Sequence, residues 1–316
     1  MIRQVISFLG CIILFGLPHH VIAQDEDVKE VVVLRDTLLQ QVIQDQQLLA
    51  KGSWELLPEI RFWRKVMNLD PEYCILNNAK TREIYQIFPT AQYDTMPDVQ
   101  KRAFKDSIIE KLQLPLGTRL YVTYGKKDYY KFDKILSQIN SGIHEFQEMK
   151  VDPWYGQAIL LIESPGAQRV SPTGAAGPYQ LMPHVGRKAG LIMNDSIDQR
   201  ADPALAAKAA AGHIRNICIP HARRMLQARR VKIDEESLWF RLLVMHVYHA
   251  GARNVGGAIR KIPYKYQGMD LIQRLWHTTY RGFGNASQNY SQIAVAAMLE
   301  LNRIVDNECS VLCMAP

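Results

Sequence analysis

A glutamate closes a strongly apolar stretch of this chain, since residues 158–162 read Ala-Ile-Leu-Leu-Ile and Glu163 follows. In a helix Glu163 would lie one turn beyond Ile159 and Leu160, so its carboxyl would leave an apolar face. Burial disfavours the charged carboxylate and raises its pKa. A carboxylic acid that stays protonated near neutral pH can protonate the leaving oxygen of a sugar. Glu163 is therefore a candidate general acid, the alternative being a partly exposed glutamate at a helix end.

The loop after Glu163 combines small residues with a few polar and pliable side chains. Gly174 and Gly177 have no side chain to keep a polymer away from the backbone. Gln180 carries both a donor and an acceptor, which suits hydroxyl and acetamido groups. Met182 offers a pliable apolar surface. The loop is thus typical of a groove that binds a sugar polymer.

Taken in order, these residues resemble the lytic transglycosylases of glycoside hydrolase family 23. The family's first motif, Glu-Ser followed by Ser-x-x-Gly-x-x-Gly-x-x-Gln-x-Met-Pro, is matched by Glu163, Ser164, Ser171, Gly174, Gly177, Gln180, Met182 and Pro183. Its second motif, Tyr-Asn-Ala-Gly, is matched by Tyr248-His249-Ala250-Gly251, with His249 in place of the usual asparagine. Residues 190–210 and 285–300 are similar to the membrane-bound murein transglycosylase D group. The loop between Glu163 and Ser171 is shorter than is usual and contains Pro165-Gly166.

This resemblance implies an all-α chain with a lysozyme-like catalytic domain over residues 151–305. It implies a peptidoglycan lytic transglycosylase, which cuts the β-1,4 bond between N-acetylmuramic acid and N-acetylglucosamine and leaves 1,6-anhydromuramic ends. Glu163 would act first as acid and then as base, without a cofactor or metal. Substrate would be bound by Ser164, Ser171, Gly174, Gly177, Gln180, Met182, Tyr248 and His249, with the Tyr248 hydroxyl aimed at the site near Glu163.

Two other functions stay open at this stage. A hydrolytic muramidase would need a second carboxylate or a positioned water. Glu300 is acidic and lies in a helical pattern, but we expect it at a solvated helix position. A non-catalytic peptidoglycan-binding or scaffold component is the other alternative. Ser164 could equally bond local backbone at the end of its helix.

The first half of the chain predicts a mostly helical accessory domain over residues 24–150. An apolar stripe with helical spacing comprises Leu34, Leu38, Leu39, Val42 and Ile43, with Gly52 placed to stop that helix. Further helices are expected after Pro97 and over residues 132–146, with a short strand at 118–124. In the second half, Asp152, Asp202 and Asp234 are candidate helix N-caps, and Gly251 is a candidate left-handed stop. Residues 306–316 would form a C-terminal tail.

The N-terminus has the composition of a signal peptide, residues 1–23. Arg3 precedes an apolar run that ends at Leu17, which is too short to span a bilayer, and Val21-Ile22-Ala23 forms a small-residue cleavage site. The protein is therefore expected to be exported to the periplasm or cell envelope. An uncleaved anchor and a lipoprotein site at Cys11 are the alternatives. Expected partners are peptidoglycan glycan strands, with an envelope protein bound through residues 24–150 and peripheral membrane association left open.

The charge distribution argues against a nucleic-acid partner, and the spacing of the histidines argues against a metal site. The formal net charge is +7, and a basic run extends from Arg223 to Lys232 without interleaved aromatic residues, so no nucleic-acid partner is expected. His246 and His249 lack a third ligand at zinc spacing, so no metal is expected. Four cysteines follow the signal peptide, namely Cys74, Cys218, Cys309 and Cys313. They allow disulfides without fixing a pairing.

Overall fold

A computed structural model of the chain describes residues 5–6, 28–35, 38–45, 47–48, 54–164 and 170–313. Its strands are β1 (Val5–Ile6), β2 (Val28–Arg35), β3 (Leu38–Asp45), β4 (Tyr73–Asn78), β5 (Ile84–Pro89) and β6 (Leu120–Tyr124). Its helices in the first half are α1 (Pro58–Asn68), α2 (Thr90–Asp94), α3 (Asp98–Lys111) and α4 (Leu136–Glu148). The helices that follow are α5 (Pro153–Glu163), α6 (Pro183–Lys188), α7 (Pro203–His213), α8 (Ile219–Ala228), α9 (Leu238–Ala250), α10 (Ala252–Arg260), α11 (Gly268–Leu275) and α12 (Asn285–Cys313).

Two antiparallel sheets lie in the first half of the chain. In one, β2 pairs with β3 as a hairpin from Val28↔Asp45 to Arg35↔Leu38, and β1 adds to β2. In the other, the strand order is β5-β4-β6. The second sheet carries a small core of its own, built on Cys74, Leu76, Phe88, Tyr93 and Leu120. The chain is mostly helical, but the all-α prediction is wrong.

The helix predicted around Leu34–Ile43 is replaced by strands β2 and β3. Its apolar spacing fitted a helix, but three consecutive valines and the Val42-Ile43 pair are β-branched and favour strands. Tertiary contacts also favour the strand. Gln157 of α5 accepts a hydrogen bond from the Ile43 N–H and donates one to the Ile43 carbonyl, each at 2.8 Å.

One continuous apolar core takes in residues from both halves of the chain. Helix α5 lies at its centre, with Trp154 to Ile162 all buried, as the sequence predicted. Helices α4 and α12 and strand β3 pack around α5, and the fully buried Val42 and Ile43 belong to the same core. The hairpin is thus built into the core that holds Glu163, whereas a separate accessory role for residues 24–150 stays a prediction.

Several local predictions are confirmed. Helix α3 begins at Asp98, α4 covers most of residues 132–146, and β6 lies within residues 118–124. Asp152 caps α5 by accepting a hydrogen bond from the Trp154 N–H, and Asp202 caps α7 in the same way. The Asp234 cap is wrong, because α9 begins three residues later than expected with Ser237 at its N-cap.

Glu300 and two arginines of the basic run form ion pairs and hydrogen bonds that connect parts of the fold. The prediction that Glu300 is solvated is wrong, since it is buried and binds Arg64 of α1 at 2.5 Å and Arg303 at 3.0 Å. In the basic run, Arg229 is buried and donates to backbone carbonyls at residues 259, 262, 263 and 266, and Arg223 pairs with Glu235. These arginines are part of the fold.

The two cysteines whose side chains are described, Cys74 and Cys218, are free and buried. The rest of the predicted signal peptide beyond Val5–Ile6, the Pro165-Gly166 segment, Gly52, and the side chains of Cys309 and Cys313 lie outside the described residues. Helix α12 continues past residue 305 to Cys313. In the described ranges, no helix combines the length and the apolar character that a membrane crossing requires.

The Gln157 contacts generate a stability prediction. In Gln157→Leu the N–H and C=O of Ile43 lose their partners inside the core, and each such loss costs about 1–3 kcal/mol. We expect the free energy of unfolding to fall by about 2–5 kcal/mol in chemical denaturation. Gln100→Leu, on the exposed face of α3, is the matched control and should change it by less than about 0.5 kcal/mol. Equal effects of the two changes would contradict this role of Gln157.

Candidate active site

Glu163 is the last residue of α5, and its side chain is half-buried at the edge of the core. Tyr290 of α12 donates a hydrogen bond from its hydroxyl to Glu163 Oε1 at 2.8 Å. Tyr129, in the segment after β6, donates to the Glu163 backbone carbonyl at 3.1 Å. One tyrosine thus holds the carboxyl group and the other holds the backbone that carries it.

Burial raises the pKa of Glu163 to about 7, and the hydrogen bond from Tyr290 opposes that rise because it stabilises the charged carboxylate. The carboxyl group therefore exchanges its proton close to neutral pH. A group that both donates and accepts a proton at working pH is suited to general acid–base catalysis. This agrees with the environment predicted from the apolar run before Glu163.

Glu163 faces an open cavity of about 670 Å³. Its walls come from both halves of the chain: Trp63, Pro71, Gly125, Lys126, Asp128, Tyr129 and Tyr130 from the first, and Ile162, Glu163, His249, Asn285, Ala286, Asn289, Tyr290 and Ile293 from the second. Of the predicted site residues, Glu163 and His249 line it. A cavity of about 700 Å³ lies elsewhere, around Glu59 and His277. The carboxylate of Glu59 and the imidazole of His277 lie 3.2 Å apart and pair with each other. The Glu163 cavity is therefore the candidate site.

His249 contacts Tyr290, the residue that is hydrogen-bonded to Glu163. The two rings stack nearly parallel, with centroids 4.3 Å apart and an interplanar angle of 15°. Burial lowers the pKa of His249 to about 4, so the imidazole is neutral at the pH where Glu163 titrates. A neutral ring against Tyr290 fixes the tyrosine without adding a charge beside the acid.

The Gly174–Met182 segment is a tightly bonded loop organised by Arg200. The Arg200 guanidinium donates to the Gly174 and Leu181 carbonyls at 2.7 and 2.8 Å and pairs with Asp198 at 2.6 Å. Gly177 has a left-handed backbone, φ 77°, and a Cβ there would lie 1.6 Å from the Arg200 carbonyl oxygen. A glycine is required at 177 by this close approach.

The remaining predicted residues support the loop. Ser171 Oγ accepts a hydrogen bond from the Ala175 N–H at 2.9 Å, and Gln180 donates to the Gly177 carbonyl at 3.0 Å. Met182 is half-buried against the core. Ser164 is buried, and its Oγ has no hydrogen-bond partner among the residues that the structure describes. None of these four side chains lines the cavity around Glu163 within the described ranges.

Tyr248 departs from the expected geometry. Its hydroxyl donates to the Tyr179 carbonyl at 2.6 Å, so Tyr248 ties the loop to the end of α9. Burial raises the pKa of Tyr248 well above its ordinary value, and the negative charge of nearby Glu163 raises it further. The hydroxyl bonded to Glu163 is that of Tyr290. Gly251, φ 77°, ends α9 as predicted.

The sequence interpretation overlooked three residues of the site. Tyr290 lies within the stretch 285–300 and is a polar tip on an otherwise apolar helix face, which was the available signal. Tyr129 and Asp128 come from the first half, in the segment Lys126-Lys127-Asp128-Tyr129-Tyr130. Nothing in that local pattern predicts that it folds against the end of α5.

His246 and His249 have separate environments. His246 is fully buried, and its Nε2 lies 2.8 Å from Ser291 Oγ, which also accepts a hydrogen bond from Trp276. Within the described residues, no group of three or more histidine, cysteine, aspartate or glutamate side chains could hold a metal ion.

Fold and site together define a mostly helical domain with a half-buried acid at the edge of an open cleft. Residues 143–265 match the family model of the transglycosylase SLT domain. The match covers less than half of the chain, including Glu163 and Tyr248, whereas Asp128, Tyr129 and Tyr290 lie outside it. No curated protein matches the chain. The family supports a mostly helical, lysozyme-like domain that acts on peptidoglycan.

The bond from Tyr290 generates a prediction about the acid. Tyr290→Phe removes a donor that stabilises the carboxylate, so the pKa of Glu163 should rise further above 7. The measurement is a pH titration of the Glu163 side-chain carboxyl carbon by NMR. Tyr129→Phe is the matched control, because its hydroxyl bonds the Glu163 backbone carbonyl, and it should leave the midpoint in place. A lower midpoint in Tyr290→Phe would contradict the assignment.

Proposed function

We propose that the protein is an exported lytic transglycosylase of peptidoglycan in which Glu163 acts alone as acid and then as base. The observation that carries the proposal is a glutamate with a pKa of about 7 facing a cleft, in a transglycosylase SLT domain. The bond to be cut is the β-1,4 link between N-acetylmuramic acid and N-acetylglucosamine. The sequence of residues 1–23 supports export to the periplasm or cell envelope.

The proposed reaction needs one titrating group. Protonated Glu163 gives its proton to the glycosidic oxygen as the bond from that oxygen to C1 of the muramic acid breaks. The charge at C1 is stabilised by the substrate's own acetamido group. The C6 hydroxyl then attacks C1 and loses its proton to the Glu163 carboxylate, which restores the acid and closes the 1,6-anhydro ring. An internal nucleophile has a large advantage of proximity, and no water enters the bond.

The neighbours of Glu163 have distinct proposed roles. Tyr290 keeps the carboxyl oriented and its pKa near 7, so that the group works in both directions. His249 keeps Tyr290 in place through the ring stack. Tyr248 joins α9 to the Arg200-centred loop through the Tyr179 carbonyl and so supports the site from behind the acid.

A hydrolytic muramidase is the second candidate, and a specific observation favours it. Asp128 is exposed and lines the same cavity as Glu163. A second carboxylate could position a water against C1, as in glycosidases that use two carboxylates. Lytic transglycosylase remains the proposal, because Asp128 comes from outside the matched family domain.

Mass spectrometry of products released from purified murein tests both candidates. The mature protein should release anhydro-muropeptides, and Glu163→Gln should lower release by at least about a hundredfold, since acid–base catalysis contributes 10²–10⁴-fold. Glu148→Gln, an exposed glutamate at the end of α4, is the control and should retain activity.

Each other outcome has a defined meaning. Reducing muramic ends that disappear in Asp128→Asn would establish hydrolysis. If the mature protein binds sacculi but releases nothing, the enzyme proposal fails and a scaffold role through residues 24–150 takes its place.

A further inference from the structure

A second cavity adjoins the Glu163 cleft and is rich in cationic side chains. It has a volume of about 400 Å³ and shares Asp128 and Tyr130 with the cleft. Its other lining residues are Met67, Asn68, Lys127, Lys131, Phe132, Lys134, Glu300, Arg303 and Ile304. The two cavities form one trough along the seam between the first half of the chain and α12.

The ion pairs in this cavity leave a local positive charge. Glu300 is already neutralised by Arg64 and Arg303, and Lys127 pairs with Asp70 at 3.0 Å on the exposed rim. In the part of the chain that the structure describes, Lys131 and Lys134 have no ion-pair partner. Among the lining residues that the structure describes, Asp128 is the remaining acid. Concave surfaces of one sign concentrate the opposite charge from solution.

Helix α12 runs past both cavities, so its residues indicate the length of the trough. Tyr290 contacts the acid in the cleft, and Glu300 and Arg303 line the second cavity. At 1.5 Å per residue, these positions lie about 15–20 Å beyond Tyr290 along the helix. An extended peptide of about four residues spans about 13 Å. Such a peptide is shorter than the distance to Glu300 and Arg303, but from a sugar bound at Glu163 it can enter the near end of the second cavity at Asp128 and Tyr130, which both cavities share.

We propose that this cationic cavity binds carboxylate groups of the peptide stem carried by the muramic acid. The inference rests on the proposed function, because it assumes that the cleft holds a murein strand. Murein stems carry free carboxylates, and lysine ammonium groups bind them with charge-assisted hydrogen bonds. The first half of the chain thereby selects peptide-bearing strands over bare glycan.

The test is the ratio of two kcat/KM values, one on peptide-bearing murein and one on glycan strands stripped of peptide by an amidase. The test variant is the double change Lys131→Gln and Lys134→Gln. Two partly exposed ionic contacts correspond to a fall of about three- to tenfold in that ratio. The same change in Lys111 and Lys232, two exposed lysines that line neither cavity, is the control and should keep the wild-type ratio.

The outcomes separate this inference from the function on which it rests. A wild-type ratio in the double variant overturns the peptide-stem site while the transglycosylase stands. A fall in the ratio that disappears at high salt supports it, because screening weakens exposed ionic contacts. A wild-type protein that releases products from neither substrate overturns the proposed function, and the peptide-stem site with it.

Discussion

The site depends on a carboxyl group placed at the end of a helix that is buried on every side. Helix α5 must be enclosed by α4, α12 and β3 to cover its apolar faces, and this enclosure desolvates Glu163. Burial raises the pKa of Glu163, and the hydrogen bond from the Tyr290 hydroxyl limits the rise. The balance keeps the acid near neutrality, where it can both give and take a proton. A fully exposed carboxylate would be ionised, and a fully enclosed one would be out of reach of substrate.

Both halves of the chain are needed to build that environment. The β2–β3 hairpin is hydrogen-bonded to α5 through Gln157, and Tyr129 donates a hydrogen bond to the last turn of α5. Helix α1 is joined to α12 by the salt bridge between Arg64 and Glu300. The residues matched to the SLT family supply the acid and the loop behind it. The opposite wall, with Asp128 and the lysines, comes from the first half. A polymer in the cleft would thus touch both halves at once.

The main elements around Glu163 could be predicted from the sequence, because their signals are local. The apolar run before Glu163 predicted both the buried helix and the raised pKa, and the Asp152 and Asp202 caps follow from adjacent residues. The predictions failed where contacts between residues far apart in the sequence determine the secondary structure or the environment of a side chain. Val42 and Ile43 have spacing that fits either a helix or a strand, and Gln157, more than a hundred residues away, favours the strand. Glu300 and Tyr290 likewise take their roles from Arg64 and Glu163, which local patterns do not indicate.

The central claim is that folding holds Glu163 in its protonated form near neutral pH, and the pH dependence of stability tests it most directly. A folded-state pKa of about 7, against an ordinary value of 4.5, means that the folded chain loses stability as pH rises through this range. Glu163→Gln removes that loss. Its free energy of unfolding, relative to the wild type, should therefore increase by about 1–3 kcal/mol between pH 4 and pH 8. A difference that stays constant across this range, or that decreases with pH, would contradict the account.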